Sequence, residues 1–436
     1  MKPPRIVLGA AVAVVLLVSA FLLLRDVGDG KPVRERLVVA PTVVQKSRLV
    51  DAQGALIEEF SGDCAGSGHP WLCGRVQDEL RAADEHLLTR GGLTIKTTID
   101  PRMQGAAQQA IDHYVSRDDP QVATQAMIVP GTGEIRAMAT SRTPGDARGL
   151  QQGTTAMAYA LAAALESGMR YDDGFPYSDA YRAPTYSAFK NCAGEAVGDP
   201  AHSVVNRKQD HGEFTTLRSG VWAGEETFFL KVTEKVGLCE TVNMARRLGL
   251  GRADGAPLVV YETFALGVNE VDPVSVAGTY ATFAARGKHC APHAVTEVRD
   301  GSGLVRAFPP RCEQVLDPHV ADAVTGVLSG APARSPLKGL GRDAAGMDGT
   351  TDNYVAAWYA GYTPDLASAV SLGADLRNVM TDVTIGGRHY ANVHGTSIPG
   401  PIWKTSMTAA LKETAETAFV PSDAVRFGGC RDACAK

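Results

Sequence analysis

At 436 residues the chain has length for two or three domains, and its 44% hydrophobic and 21% charged residues are a globular composition. A net charge of -5 and a pI near 6.1 leave no polybasic footprint, which excludes nucleic acid as an expected partner.

Residues 6–24 are apolar apart from Gly9 and Ser19, close to the roughly twenty residues that span hydrocarbon. Lys2 and Arg5 precede this run while Arg25 and Asp26 cancel after it. The positive-inside bias therefore predicts a single-pass protein of the cell membrane, its N-terminus cytoplasmic and its bulk outside. A signal peptide cleaved at Val18-Ser19-Ala20 is the competing reading, for which the apolar run is long. The expected organisation is a cytoplasmic stub and transmembrane anchor (1–25), a linker and stalk module (26–90), a main domain (91–412) and a C-terminal tail (413–436).

Within 37–60 two short extended pieces flank the polar turn Asp51-Ala52-Gln53-Gly54. Gly91-Gly92 opens a strand over 93–99, and Asp100-Pro101 starts a helix with Asp as N-cap and Pro at the first helical position. Residues 124–140 read as a hairpin turning at Pro130-Gly131-Thr132-Gly133. The Ala/Leu run 154–166 lacks a polar face, which predicts a buried helix stopping near Gly168. Thr154 and Thr155 at its start read as N-caps, and Met157 as a core filler. Residues 171–330 are mostly helical in pattern, most clearly over 216–250 and 271–286. Two adjacent strands, 354–362 and 367–373, flank Thr363-Pro364. The expected class is α+β, an antiparallel sheet flanked by helices with an all-helical subdomain.

Eight cysteines suit an oxidising compartment, where disulfides persist. Pairing by nearness gives Cys64–Cys73, Cys192–Cys239, Cys290–Cys312 and Cys430–Cys434, although spacing alone does not fix connectivity. No C-x-x-C pair occurs, so no metal site is expected, nor a cofactor. The His202, Asp210, His211 cluster reads as a solvated loop, and Trp358 and Trp403 as sheet-packing aromatics.

Several stretches carry a resemblance. They are Gly91 through Pro101 (GGLTIKTTIDP), Pro130-Gly131-Thr132-Gly133-Glu134-Ile135, Ala265 through Pro273 (ALGVNEVDP), Ala345 through Tyr354 (AGMDGTTDNY) with Trp358 and Gly361-Tyr362-Thr363-Pro364, and Pro399-Gly400-Pro401-Ile402-Trp403. In this order the chain resembles the transpeptidase domain of class A penicillin-binding proteins over about residues 60–412. That resemblance implies a serine acyl-transferase fold of the β-lactamase and D,D-transpeptidase type. Class A members also carry a glycosyltransferase domain. Only about 65 residues separate Leu24 from Gly91, below an ordinary domain of about 100, so that activity is expected to be missing.

The family's S-x-x-K motif places a nucleophile and its base one helical turn apart. Thr154 and Met157 stand at the matching positions. The S-x-N motif matches Gly224 and Glu226, and a register using Ser219 misplaces Thr227-Phe228-Phe229. The K-T-G motif matches Met347, Asp348 and Gly349, followed by Thr350. No catalytic unit is expected intact. The resemblance thus implies a pseudoenzyme in peptidoglycan assembly: a non-catalytic scaffold, regulator or sensor whose partners are the membrane and an active cell-wall synthase or peptidoglycan fragments. The enzymatic alternative is a weak or altered transpeptidase binding penicillin through Thr154, with Lys190 or Lys208 as base. A Glu226/Asp348 acid/base or metal pair is a further alternative, set against two ordinary exposed carboxylates.

Overall fold

The structure, a computed structural model, describes residues 46–60, 64, 66–142, 149–182, 188–199, 201–207, 212–334, 337–374 and 378–435. The expected membrane segment 6–24 and the linker after it lie outside these. No helix among the described residues is long and apolar enough to cross a membrane.

Strands β1 (Ser47–Val50) and β2 (Leu56–Phe60) form a hairpin whose turn is closed by the Asp51 carboxylate, which accepts from the backbone N–H of Gln53 and Ala55, each at 2.9 Å. This Asx turn is what the polar tetrad encodes. Strand β3 (Thr94–Thr97) pairs in parallel with β1, and helix α1 (Pro70–Ala83) lies between them in sequence. Helix α2 (Pro101–Tyr114) begins as expected, with Asp100 Oδ1 accepting from the N–H of Arg102 and Met103. Strands β4 (Val122–Ile128) and β5 (Ile135–Thr140) make the expected hairpin. The buried helix α3 (Met157–Glu166) follows a 3-10 turn, Gly153–Ala156.

A helical region continues with α4 (Leu217–Ala223), α5 (Glu226–Val236), α6 (Leu238–Arg247) and α7 (Pro273–Ala284). Strands β6 (Val295–Asp300) and β7 (Gly303–Ala307) and helix α8 (Pro318–Leu328) precede β8 (Ala345–Thr350), β9 (Ala356–Tyr362), β10 (Ala367–Gly373) and α9 (Pro399–Ala410).

The larger sheet has the order β8-β9-β10-β4-β5, antiparallel throughout. Both faces are covered. On one, α2 and α9 bury Ile111, Tyr359, Val370 and Trp403; on the other, α7 packs on β4, β9 and β10, and Trp358, Ala360 and Tyr362 join the core that also holds α3. Residues Met157 to Leu165 are all buried, as a helix apolar all round must be. Trp358 and Trp403 are both fully buried, confirming the packing role. The outer edge of β5 is closed by glutamines of α2. Gln104 accepts from Met138 N–H at 2.8 Å and donates to its carbonyl at 2.9 Å, and Gln108 donates to Thr140 at 3.0 Å. Capped in this way, that edge is not a template for another strand.

Two expected boundaries are corrected. Residues 46–90 do not form a separate stalk: β1 and β2 extend a second sheet, order β7-β6-β3-β1-β2, and Val44–Lys436 is one compact unit. Helix α1 is stitched to β6 by Glu79, whose carboxylate accepts from Ala294 N–H at 2.8 Å and Val295 N–H at 3.0 Å. Nor is 413–436 a loose tail, because Phe427 is buried and its carbonyl accepts from Tyr171 N–H at 2.9 Å. All four nearest-neighbour disulfides are present.

The Cys430–Cys434 loop turns three N–H groups onto the buried Asp173 carboxylate, those of Arg431 (2.6 Å), Asp432 (3.0 Å) and Ala433 (3.5 Å), while Arg170 N–H adds a fourth at 2.8 Å. Burial pushes this carboxyl up, but the four backbone donors together hold it below its ordinary value. Its stabilisation is therefore present above the unfolded-state value and is lost as pH falls through the folded one. Asp173→Asn should cost about 1.5–3 kcal/mol at neutral pH, and thermal melts of the two proteins should converge as the pH is lowered below 4.

Candidate functional site

The three motif segments meet where the 3-10 turn before α3 presses on the edge strand β8. Gly153 sits at φ +58°, and a Cβ there would lie 2.7–2.8 Å from the backbone of Thr350. Gly349 faces the same turn, its missing Cβ directed at the Gln152 carbonyl. Only glycine permits contact this close. Behind the turn, Tyr280 Oη donates to the Thr155 carbonyl at 2.9 Å, and Tyr159 Oη reaches Gln152 and Thr279. Burial raises both phenols above their ordinary range, so both remain neutral donors.

Thr154 is 7% exposed, and its hydroxyl donates to the main-chain carbonyl of Asp348 at 3.0 Å. Thr155 donates to the Gln152 carbonyl at 2.9 Å. The N-cap reading of these threonines is thus overturned, because the turn places both hydroxyls on carbonyls and no side chain caps α3. Met157 is fully buried in the core, as expected. Among the described residues no amine is hydrogen-bonded to Thr154. Lys190 is solvent-exposed, and Lys208 lies outside the described residues.

Gly224 ends α4 in the left-handed conformation at φ 67°, a backbone reason for glycine at that position. Ser219 belongs to a capping box with Thr216, so the alternative register meets a residue with a structural duty. Glu226 opens α5 with its side chain 7% exposed, against Arg207 at 3.0 Å. Burial pushes its carboxyl up, partly offset by the guanidinium. The reading of two exposed carboxylates therefore fails for Glu226, which is buried and ion-paired.

Met347 packs into the core at 3% exposure. Asp348 and Thr350 turn their carbonyls outward from β8. Thr154 takes the first, and Arg207 takes the second through Nη2 at 2.6 Å. Arg207 also approaches the Thr351 carbonyl at 3.4 Å and Asp352 at 3.8 Å. Thr350 Oγ1 accepts from Gly395 N–H at 3.2 Å. One guanidinium thereby ties the second motif to the third. Sequence reasoning passed over Arg207, which stands beside the Lys208 it considered; no local pattern distinguishes it, because its role comes from where its loop crosses the site.

Beyond Arg207 a cavity of about 400 Å³ runs along Thr351, Asp352, Tyr354 and Thr381. His202 is exposed, as a solvated loop implies, and its Nδ1 lies 2.6 Å from the buried Glu262; Asp210 and His211 are outside the described residues. Asp173, Cys430 and Cys434 are close enough to resemble a metal-ligand set, but the two sulfurs are joined in a disulfide and are not available as thiolates.

No family model matches the chain. It is similar to penicillin-binding protein 1A of Mycobacterium tuberculosis, 29% identical over 362 residues, which cover 78% of this chain and 42% of that protein. The protein of the same name from Mycolicibacterium smegmatis is also 29% identical, over 78% of this chain and 44% of its own length. The chain thus spans less than half the length of these relatives. Among solved structures, the penicillin-binding protein PonA1 of M. tuberculosis superposes with a TM-score of 0.68 at 25% identity, covering 84% of this chain and 96% of that one. Its complex with penicillin V gives 0.65 at 26%, covering 81% and 96%.

Arg207→Ala should destabilise the fold by about 3 kcal/mol at neutral pH by leaving a buried carboxylate unpaired, and adding Glu226→Gln should recover most of that loss. Because burial raises Glu226, its contribution is full below the ordinary carboxylate value and is lost as pH rises through the folded one. Denaturant titrations should accordingly find the penalty of the single variant smallest in mild acid and largest above neutrality.

Proposed function

We propose that this chain, whose main domain is of the class A penicillin-binding-protein transpeptidase type, is a non-catalytic, membrane-anchored member acting outside the cell membrane. Its role is to scaffold or regulate an active cell-wall synthase, or to sense peptidoglycan fragments. The observation that carries this reading is the Thr154 hydroxyl, which donates to the Asp348 carbonyl and, among the described residues, is hydrogen-bonded to no amine that could take its proton. A hydroxyl attacks a carbonyl carbon only when a base removes its proton in the same step.

Electrostatics support the same reading. A carboxylate-bearing acyl donor on β8 meets Met347, which carries no charge, and Asp348, which carries the wrong one. Like charges about 4 Å apart repel by about 1 kcal/mol in water and about 4 at an effective dielectric near 20. Loss of one member of a catalytic unit costs a factor of order 10⁴ to 10⁶, and further losses add little because the members act together.

Fluorescent penicillin separates this reading from the enzymatic alternative. Incubation with the purified protein should leave no covalent label on a denaturing gel. A label that disappears in Thr154→Ala would instead establish an acyl-transferase with a base drawn from elsewhere.

A further inference from the structure

A cavity of about 960 Å³ lies away from the motif cleft, between the β1–β2 hairpin, the start of α1 and the exposed side of α2 and β5. That is near the upper end of ordinary small-ligand sites. Its apolar wall is Leu56, Ile57, Trp71 and Met138. Leu56 is 50% exposed, and Ile57 and Trp71 are only partly covered. The other end carries Arg117 and Arg142.

These two cations are unusual in what they lack. Among the described residues neither has a carboxylate partner. Arg142 donates one Nη2 bond, to the Pro120 carbonyl at 2.8 Å, while its Nε–H is buried with no acceptor. A buried guanidinium N–H without an acceptor is a rare and costly state. The acids nearby are already engaged. Asp51 closes its own turn, and Glu58 accepts from Ser67 Oγ at 2.6 Å and Gly68 N–H at 2.9 Å. Gln104 and Gln108 are likewise spent on the edge of β5. The wall is therefore internally satisfied except at its two guanidinium groups and its apolar face.

We propose that this cavity is a binding site for an amphipathic anion: a carboxylate or phosphate held by Arg117 and Arg142, joined to an apolar or flat-ringed body lying on Trp71 and Met138. Guanidinium supplies paired donors in the plane a carboxylate or phosphate presents. The indole supplies a rigid apolar face at little entropic cost. The site goes beyond the inert reading of the cleft and is independent of it, since it uses no motif residue.

The test is a titration of the folded protein with N-acetyl-leucyl-phenylalanine, its C-terminal amide and phenyl phosphate, read by calorimetry and by tryptophan fluorescence. Saturable binding is expected for the acid or the phosphate ester, and the tighter of the two identifies the natural source of the anion. The amide should bind at least about tenfold more weakly, and Arg142→Gln should weaken the acid by about ten- to a hundredfold, the worth of a charge-assisted hydrogen bond. Arg117→Gln, at an exposed position that the fold does not need, should weaken it in the same direction. Trp71→Phe should remove the fluorescence change. Equal affinity for acid and amide, or indifference to both arginine substitutions, overturns the proposal. A penicillin adduct on Thr154 would overturn the inert reading and leave this one standing.

Discussion

Everything at the site follows from how strand β8 lies against the turn that begins α3. Because Gly153 and Gly349 have no side chains, the two backbones touch, and the outward carbonyls of β8 come within reach of whatever the turn and its neighbours present. Here they are met by the Thr154 hydroxyl and the Arg207 guanidinium. A hydroxyl donating to a backbone carbonyl ties the turn to the strand, and a guanidinium seated on Thr350 and Glu226 makes a structural joint of the place where these segments meet. The scaffold needs the joint whether or not chemistry takes place there.

Much of this was legible in the sequence where the signal is local. The polar tetrad at Asp51 encodes an Asx turn, Asp100-Pro101 encodes a capped helix start, and the run 154–166 can only be interior. The disulfides pair with their nearest neighbours because each joins segments that a short excursion of chain brings back together. Of the site the sequence offered candidate positions, and the structure brings Thr154 onto the Asp348 carbonyl and joins Glu226 to Thr350 through Arg207.

What escaped the sequence depends on long-range placement. Arg207 acquires its role from a loop crossing between α5 and β8, and the partner of His202 is Glu262, sixty residues away in the chain. The stalk boundary failed for a related reason. Strand β1 has an unpaired edge that β3 completes, and Glu79 supplies acceptors for the N–H groups of 294 and 295, so residues 46–90 gain more by joining the main unit than by standing apart. Thr154 and Thr155 followed propensity on paper, yet the 3-10 turn redirects both hydroxyls. The C-terminal segment, polar and cysteine-bearing, reads as a tail until Asp173 is seen to gather its backbone donors.

The account stands on where the Thr154 proton goes. A high-resolution crystal structure of the protein soaked in penicillin V addresses that atom directly. The prediction is Thr154 Oγ1 still donating to the Asp348 carbonyl, Arg207 still seated on Thr350, and no density continuous with the hydroxyl oxygen. An acyl ester on Thr154, with an amine drawn up beside it, would contradict the account at its centre.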